Sequence, residues 1–254
     1  MDIKDLLGIA GLLFPAILPA KTPDKPNFII INCDDLGYGD LSCFGHPSIF
    51  TPNLDRMAIE GQKWTSFYVS AAVSSPSRAG LLTGRLGVRT GMYGNEKEVL
   101  FPDSPEGLPE NERTIASLLK EAGYTSACVG KWHLGHTDKS MPWNHGFDYF
   151  YGIPFSNDMS RKEQQKTGNP NYRFELPFYN QQQVVELEPD QTLLTKRLTE
   201  YAVSFIEKEK EHPFFLYLAH PMPHVPLYAS GEFQHKSLRG LYGDVVEEID
   251  WSVG

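Results

Sequence analysis

Two short stretches of the chain hold side chains whose types and spacing suit chemistry. In Asn32-Cys33-Asp34-Asp35-Leu36-Gly37 two adjacent carboxylates offer hard oxygen donors for Ca²⁺ or Mg²⁺. The same pair could equally close a turn or cap a helix. In Ser74-Ser75-Pro76-Ser77-Arg78 a hydroxyl stands just ahead of a helix start set by Pro76. Free N–H groups, the positive end of the helix dipole and the Arg78 guanidinium would together stabilise an anion beside Ser74. Without further context this stretch also reads as a serine-rich loop capping a helix.

Such residues need elements to hold them. Pro26 to Cys33 is a nearly continuous apolar run, the pattern of a buried parallel strand, with Asp34-Asp35 in the loop at its carboxyl end. Thr51-Pro52-Asn53-Leu54 opens a helix with Thr51 as N-cap, and Gly61 closes it; residues 63–69 then read as a strand. A second unit runs from a helix at Thr114 to Gly123 through the strand 124–129 into Gly130-Lys131-Trp132-His133. A third runs from a helix beginning at Leu194 through the strand 214–219 into the loop His220 to Pro226. Repeated helix, strand and loop predict an α/β fold with a doubly wound, mainly parallel central sheet flanked by helices, its ligand lying beyond the carboxyl ends of the strands. Residues 161–187, rich in Gln, Asn and Lys, read as a surface insertion bordering the substrate.

Composition narrows the function. The chain has 254 residues, 41% of them hydrophobic, which excludes a disordered or collagenous polypeptide. With 23 basic against 32 acidic residues the net charge is −9, a field that repels nucleic acid and anionic membranes. An anionic substrate would therefore need a local cationic pocket. Cys33, Cys43 and Cys128 are odd in number and form no C-x-x-C pair, so neither a disulfide framework nor a zinc ribbon is indicated. The uncharged run Leu6 to Ala20, ending Leu18-Pro19-Ala20, suits a secretory signal peptide over residues 1–20, or else a buried N-terminal helix; residues 21–25 form a linker.

The order of residues adds a resemblance. Ser74-x-Pro76-Ser77-Arg78 followed by Ala79-x-Leu81-x-Thr83-Gly84 is similar to the signature of the type I sulfatases of the alkaline-phosphatase superfamily, whose first residue is a cysteine or serine oxidised to formylglycine. Asn32 to Gly37, Thr51 to Asp55, Gly130-Lys131-Trp132-His133-Leu134-Gly135, Gly146 to Gly152 and His220 to Pro226 fall in the family's order. The match covers residues 26–254, and the arylsulfatase A-like and N-acetylgalactosamine-6-sulfatase-like members are most similar.

The resemblance implies a sulfuric ester hydrolase acting on a sulfated glycan through a formylglycine hydrate made from Ser74. It implies Asp34, Asp35 and the modified Ser74 as ligands of Ca²⁺, less readily Mg²⁺. Arg78 would hold the formylglycine, Lys131 would bridge it and the sulfate, His133 would act as base on its second hydroxyl, and Ser156 and His224 would contact the sulfate or the leaving oxygen. A serine at position 74 implies maturation by the anaerobic radical S-adenosylmethionine enzyme; with the signal-like N-terminus, this points to an exported, periplasmic bacterial protein. His46, His136, His145, His212 and His235 read as structural or surface residues, while His220 is left open.

Val246, Ile249 and Val253 keep helical spacing to the last residues, and no Asp-Asn-Gly strand or further active-site lysine of the family follows. Residues 26–254 thus read as the N-terminal part of a catalytic domain, C-terminally truncated, with a partial calcium shell. Two other readings stand beside this one: a phosphatase or phosphodiesterase of the same superfamily using unmodified Ser74, and an inactive fragment.

Overall fold

The computed structural model describes residues 25–93 and 98–254; the expected signal segment and residues 21–24 of the expected linker lie outside them. One sheet contains β1 (Phe28–Cys33), β2 (Thr125–Lys131), β3 (Tyr149–Ile153), β4 (Pro177–Asn180), β5 (Gln183–Leu187) and β6 (Phe214–His220), in the order β1-β6-β2-β3-β4-β5. The first four in that order run parallel, and β4 and β5 continue antiparallel. The helices are α1 (Pro52–Glu60), α2 (Ser74–Thr83), α3 (Ile115–Glu121), α4 (Arg161–Lys166), α5 (Leu194–Glu209) and α6 (Gly240–Val253). This is the α/β architecture expected, with helices on both faces of the sheet.

The sequence of β6 explains its central place. All seven of its residues are buried, and alternate side chains enter opposite layers. Phe215, Tyr217 and Ala219 pack with Leu82 of α2, Ala116 of α3 and Trp132; Phe214, Leu216 and Leu218 pack with Leu198, Ala202 and Phe205 of α5. A strand covered on both faces has no solvent side on which to place polar residues. Because β6 enters last, between β1 and β2, the loops after these strands open around one crevice.

Two glycines bring the strand ends close together. A Cβ at Gly130 would sit 2.0 Å from the Ala219 carbonyl oxygen, and one at Gly152 would sit 2.0 Å from that of Gly130. Both have positive φ, 115° and 156°. Glycine alone permits this approach, which sets Lys131 against the end of β6.

Five expectations need correction. β1, read as a buried strand, lies at the edge of the sheet, with Phe28 and Ile29 exposed and its other residues half-buried. Residues 63–69 form no strand: the outer edge of β1 carries no partner strand among the described residues, and an apolar segment without a ladder does not become one. The insertion 161–187 is more than surface loop, since it contributes α4 and the β4–β5 hairpin that extends the sheet. Helix α2 begins at Ser74 rather than at Pro76, so the hydroxyl sits on the first helical residue. Finally, the Thr51 side chain does not cap α1. The Asp250 carboxylate on α6 takes that place, accepting from the backbone N–H groups of Asn53 (3.2 Å) and Leu54 (2.8 Å). Thr51 instead hydrogen-bonds Ser42.

Candidate active site

The crevice gathers residues from three strand ends and the start of one helix. Asp34 follows β1, Ser74 and Arg78 lie on the first turns of α2, Lys131 ends β2 with His133 just beyond it, and Ser156 follows β3. Six residues assigned from sequence thus converge, and their contacts form one network.

At its centre is the Ser74 hydroxyl. Arg78 donates from Nε to Ser74 Oγ at 2.9 Å, and His133 Nδ1 lies 2.9 Å from the same oxygen. The other ring nitrogen of His133, Nε2, is 2.8 Å from the Leu100 carbonyl oxygen, which can only accept. Nε2 therefore carries the proton, and the Nδ1 lone pair of a neutral imidazole faces Ser74. Burial holds the His133 pKa well below its ordinary value; the Lys131 charge acts in the same direction, and together they outweigh the bond to Leu100. His133 has φ of 56°, a left-handed conformation uncommon for a non-glycine residue, and here it accompanies the aim of the ring at Ser74.

Beneath lies a buried charge cluster. Lys131 is fully buried; its Nζ is ion-paired with Asp34 Oδ2 and lies 2.9 Å from Ser156 Oγ. Arg78 Nη2 is 3.4 Å from Asp34 Oδ1, while Nη1 donates to the Lys131 carbonyl at 2.6 Å and to the Tyr217 hydroxyl at 3.2 Å. Burial would raise the Asp34 pKa, but Arg78 and Lys131 outweigh it and bring it down to about 2. Burial lowers Lys131 to about 8 against the opposing pull of Asp34. Two cations against one carboxylate leave an excess positive charge under Ser74, the local cationic pocket that an acidic protein needs for an anionic ligand.

Asp35 and His224 stand apart, at the rim. Asp35, with φ of 63°, turns outward, and its Oδ2 lies 3.7 Å from His224 Nε2. His224 Nδ1 donates to the Val225 carbonyl at 2.5 Å, leaving Nε2 to face Asp35. No group of three or more His, Cys, Asp or Glu able to hold a metal occurs among the described residues. Two carboxylates and one hydroxyl fall short of the roughly six to eight oxygens that Ca²⁺ takes. The described residues do not make a complete calcium shell.

Tyr217 and the Leu100 carbonyl were not anticipated. Tyr217 could have been noticed as a hydroxyl in an otherwise apolar strand, whereas a backbone carbonyl leaves no trace in residue type. Of the remaining histidines, His46 accepts backbone N–H groups from Ser48 and Ile49, and His145 is buried against Trp132, both structural roles. His220 is buried, with Nε2 3.1 Å from Ser252 Oγ.

The doubly wound sheet thus presents a hydroxyl at a helix N-terminus, in contact with a neutral imidazole, over a buried pair of cations. The Sulfatase family profile matches residues 26–254, and the chain belongs to that family. It is similar to N-acetylgalactosamine-6-sulfatase of Rattus norvegicus, 43% identical over 247 residues that make up 94% of this chain and 47% of the relative. It is also similar to arylsulfatase G of the same species, 37% identical over 96% of this chain and 51% of the relative. Among solved structures, Ps i-CgsB superposes with a TM-score of 0.76 and 34% identity over 91% of this chain and 54% of that one; it is also solved in complex with k-i-k-neocarrahexaose. The chain spans about half the length of these relatives.

Proposed function

We propose that this chain carries the nucleophile and anion pocket of a sulfuric ester hydrolase that removes sulfate from a glycan, with Ser74 as the residue converted to formylglycine. The observation that carries the reading is the neutral His133 Nδ1 aimed at an oxygen that Arg78 also holds, above buried Lys131. A formylglycine hydrate supplies one hydroxyl to attack sulfur and a second whose deprotonation expels sulfate.

The chain's own residues do the rest. Arg78 and Lys131 oppose the negative charge that spreads over the sulfuryl oxygens in the transition state, preorganised in a site with little water. His133, neutral and unprotonated at Nδ1, receives a proton from the group at position 74. Ser156 orients the Lys131 ammonium. His224, at the rim, would face the departing alcohol oxygen as its proton donor. Asp34 and Asp35 are the carboxylates on which Ca²⁺, in preference to Mg²⁺, would lean.

The relatives' names favour a sulfated amino sugar or galactan unit as substrate, with a 6-sulfate of N-acetylgalactosamine the first to assay. We further propose maturation by the anaerobic radical S-adenosylmethionine enzyme and export to the periplasm. Among the described residues no helix is long and apolar enough to cross a membrane.

The test is mass spectrometry of the peptide containing Ser74 after co-expression with that maturase, paired with assays on a sulfate and a phosphate ester of one phenol. Loss of two hydrogens and maturase-dependent sulfate release are expected, and Ser74→Ala should abolish turnover. An unmodified serine with phosphate release would instead favour phosphoryl transfer, which the Ser74–His133 contact would also serve.

A further inference from the structure

The reaction above makes no use of two buried hydroxyls, those of Ser75 and Ser104, each 1% exposed. Both are spent on one stretch of main chain. Ser75 Oγ accepts from the Leu100 N–H at 3.0 Å, and Ser104 Oγ accepts from the Phe101 N–H at 2.9 Å. The Phe101 N–H belongs to the same peptide group as the Leu100 carbonyl, so the two serines grip the backbone on either side of Leu100. That residue lies outside any helix or strand, where no ladder holds its peptide groups.

The grip has a direction. Ser104 also donates its own N–H to the Phe101 carbonyl at 2.9 Å, closing a tight turn that sets the tilt of the Leu100–Phe101 peptide. Ser75, on the first turn of α2 beside Ser74, sets where that turn stands relative to the site. The Leu100 carbonyl thereby meets His133 Nε2 at 2.8 Å while Nδ1 lies 2.9 Å from Ser74 Oγ. These contacts run in a circuit from Ser75 through Leu100 and His133 back to Ser74, the covalent neighbour of Ser75. The His133 backbone is pinned separately, its N–H donating to the Pro154 carbonyl at 3.0 Å. A ring fixed at its root and at Nε2 has one way to aim Nδ1. Were the carbonyl to drift, a proton on Nδ1 would become admissible, and that form has no lone pair to offer position 74.

We infer that Ser75 and Ser104 are positioning residues for the reaction at Ser74: their hydroxyls clamp the backbone around Leu100 so that its carbonyl keeps the His133 proton on Nε2. The clamp takes its catalytic meaning from the sulfatase reading above, on which it rests. No covalent step is involved.

Nitrogen NMR tests it on the whole chain, with isotopically labelled histidine rings and Ser74 unmodified, at one neutral pH. The His133 signals are those lost in His133→Gln. In the parent, Nε2 should resonate as a protonated nitrogen and Nδ1 as a bare one. In Ser75→Ala and in Ser104→Ala the two shifts should draw together by about a tenth of their separation, the share of a minor form that losing one hydrogen bond admits. Ser75→Thr, which keeps the hydroxyl, should restore the parent's shifts. The His46 ring, held by the Ser48 and Ile49 N–H groups on its own loop, should not move in any variant. Parent-like His133 shifts in either alanine variant overturn the clamp, as does a displacement that Ser75→Thr repeats or that His46 shares. Those results leave the sulfatase reading standing. A parent that carries its His133 proton on Nδ1 would refute the base assignment itself, and the clamp with it.

Discussion

β6 and the segment 63–69 draw on similar apolar and aromatic residues and have opposite surroundings. Every residue of β6 is buried, with a parallel strand on either side and a helical layer on each face. Segment 63–69 pairs with no strand: Trp64 is 64% and Tyr68 84% exposed, and with Leu36, Tyr38 and Met57 they line an open groove of about 950 Å³. Strand propensity is thus realised only where a ladder and a covered face are available. The difference extends to charge. Around β6 the ionic groups are desolvated and must be matched, whereas Lys63, the charged residue of segment 63–69, is exposed and donates to the Cys43 carbonyl.

The sharpest way to break that contrast is to remove the anion at the centre. Asp34→Ala leaves the buried Lys131 and Arg78 without their carboxylate, and the expected loss is about 3–5 kcal/mol of unfolding free energy by urea titration. Lys131→Met, which removes a cation while Asp34 keeps Arg78, should cost less. A loss under about 1 kcal/mol for Asp34→Ala, the range of exposed pairs, would mean that water reaches the cluster and that centre and edge do not differ in this respect.

A second probe uses pH. Burial lowers the His220 pKa to about 4 from an ordinary 6.5, while its ring stays in contact with Ser252 of α6. The unfolded chain therefore takes up a proton below pH 6.5 that the folded chain refuses. The contribution of this group is full above 6.5, falls as pH drops from 6.5 towards 4, and levels below that, a change on the order of 3 kcal/mol. His220→Val should flatten the dependence of the urea midpoint on pH in this window, though not abolish it, because buried His145 shifts the same way. Asp34 works in a separate window: its lowered pKa gives stability above about pH 4 that is lost as pH falls towards 2. An unaltered slope in His220→Val would place that ring in contact with solvent.

These contrasts also show what residue order conveys. β2 and β6 were legible because two covered faces demand mostly apolar runs, whereas β1 has such a run and lies half-exposed at the sheet edge; the site residues Asp34, Ser74, Arg78, Lys131, His133 and Ser156 stand in short ordered motifs near strand ends. Long-range partners were not legible. Thr51 has the residue type of a cap, yet Asp250, almost two hundred residues away, fills that role, since any carboxylate delivered to the helix N-terminus satisfies the same N–H groups. The Leu100 carbonyl that sets the His133 tautomer is equally silent in sequence. Segment 63–69 failed as a strand for a related reason: its pattern is local, and its pairing would have to come from elsewhere.

A smaller effect tests the first of these surprises. Asp250→Ala removes the acceptor for the Asn53 and Leu54 N–H groups and should cost about 1 kcal/mol, as for loss of a helix cap, with Asp250→Asn recovering most of it. Thr51→Val should lose its bond to Ser42 without unwinding the first turn of α1. Circular dichroism alongside urea titration separates the two outcomes. A greater loss of helix in Thr51→Val than in Asp250→Ala would return the cap to Thr51.

The smallest expected change in stability lies at the edge. Tyr68→Lys replaces a largely exposed ring that makes little use of burial, so the unfolding free energy should stay within about 0.5 kcal/mol of the parent. Self-association should respond instead: contiguous exposed apolar surface in that groove favours contact between copies, and a lysine there disfavours it. Sedimentation velocity over a concentration series should show less oligomer in Tyr68→Lys at equal stability. Destabilisation beyond about 1 kcal/mol would mean that Tyr68 packs against the fold as a core residue does. Segment 63–69 would then have to be counted with the centre of the sheet rather than set against it.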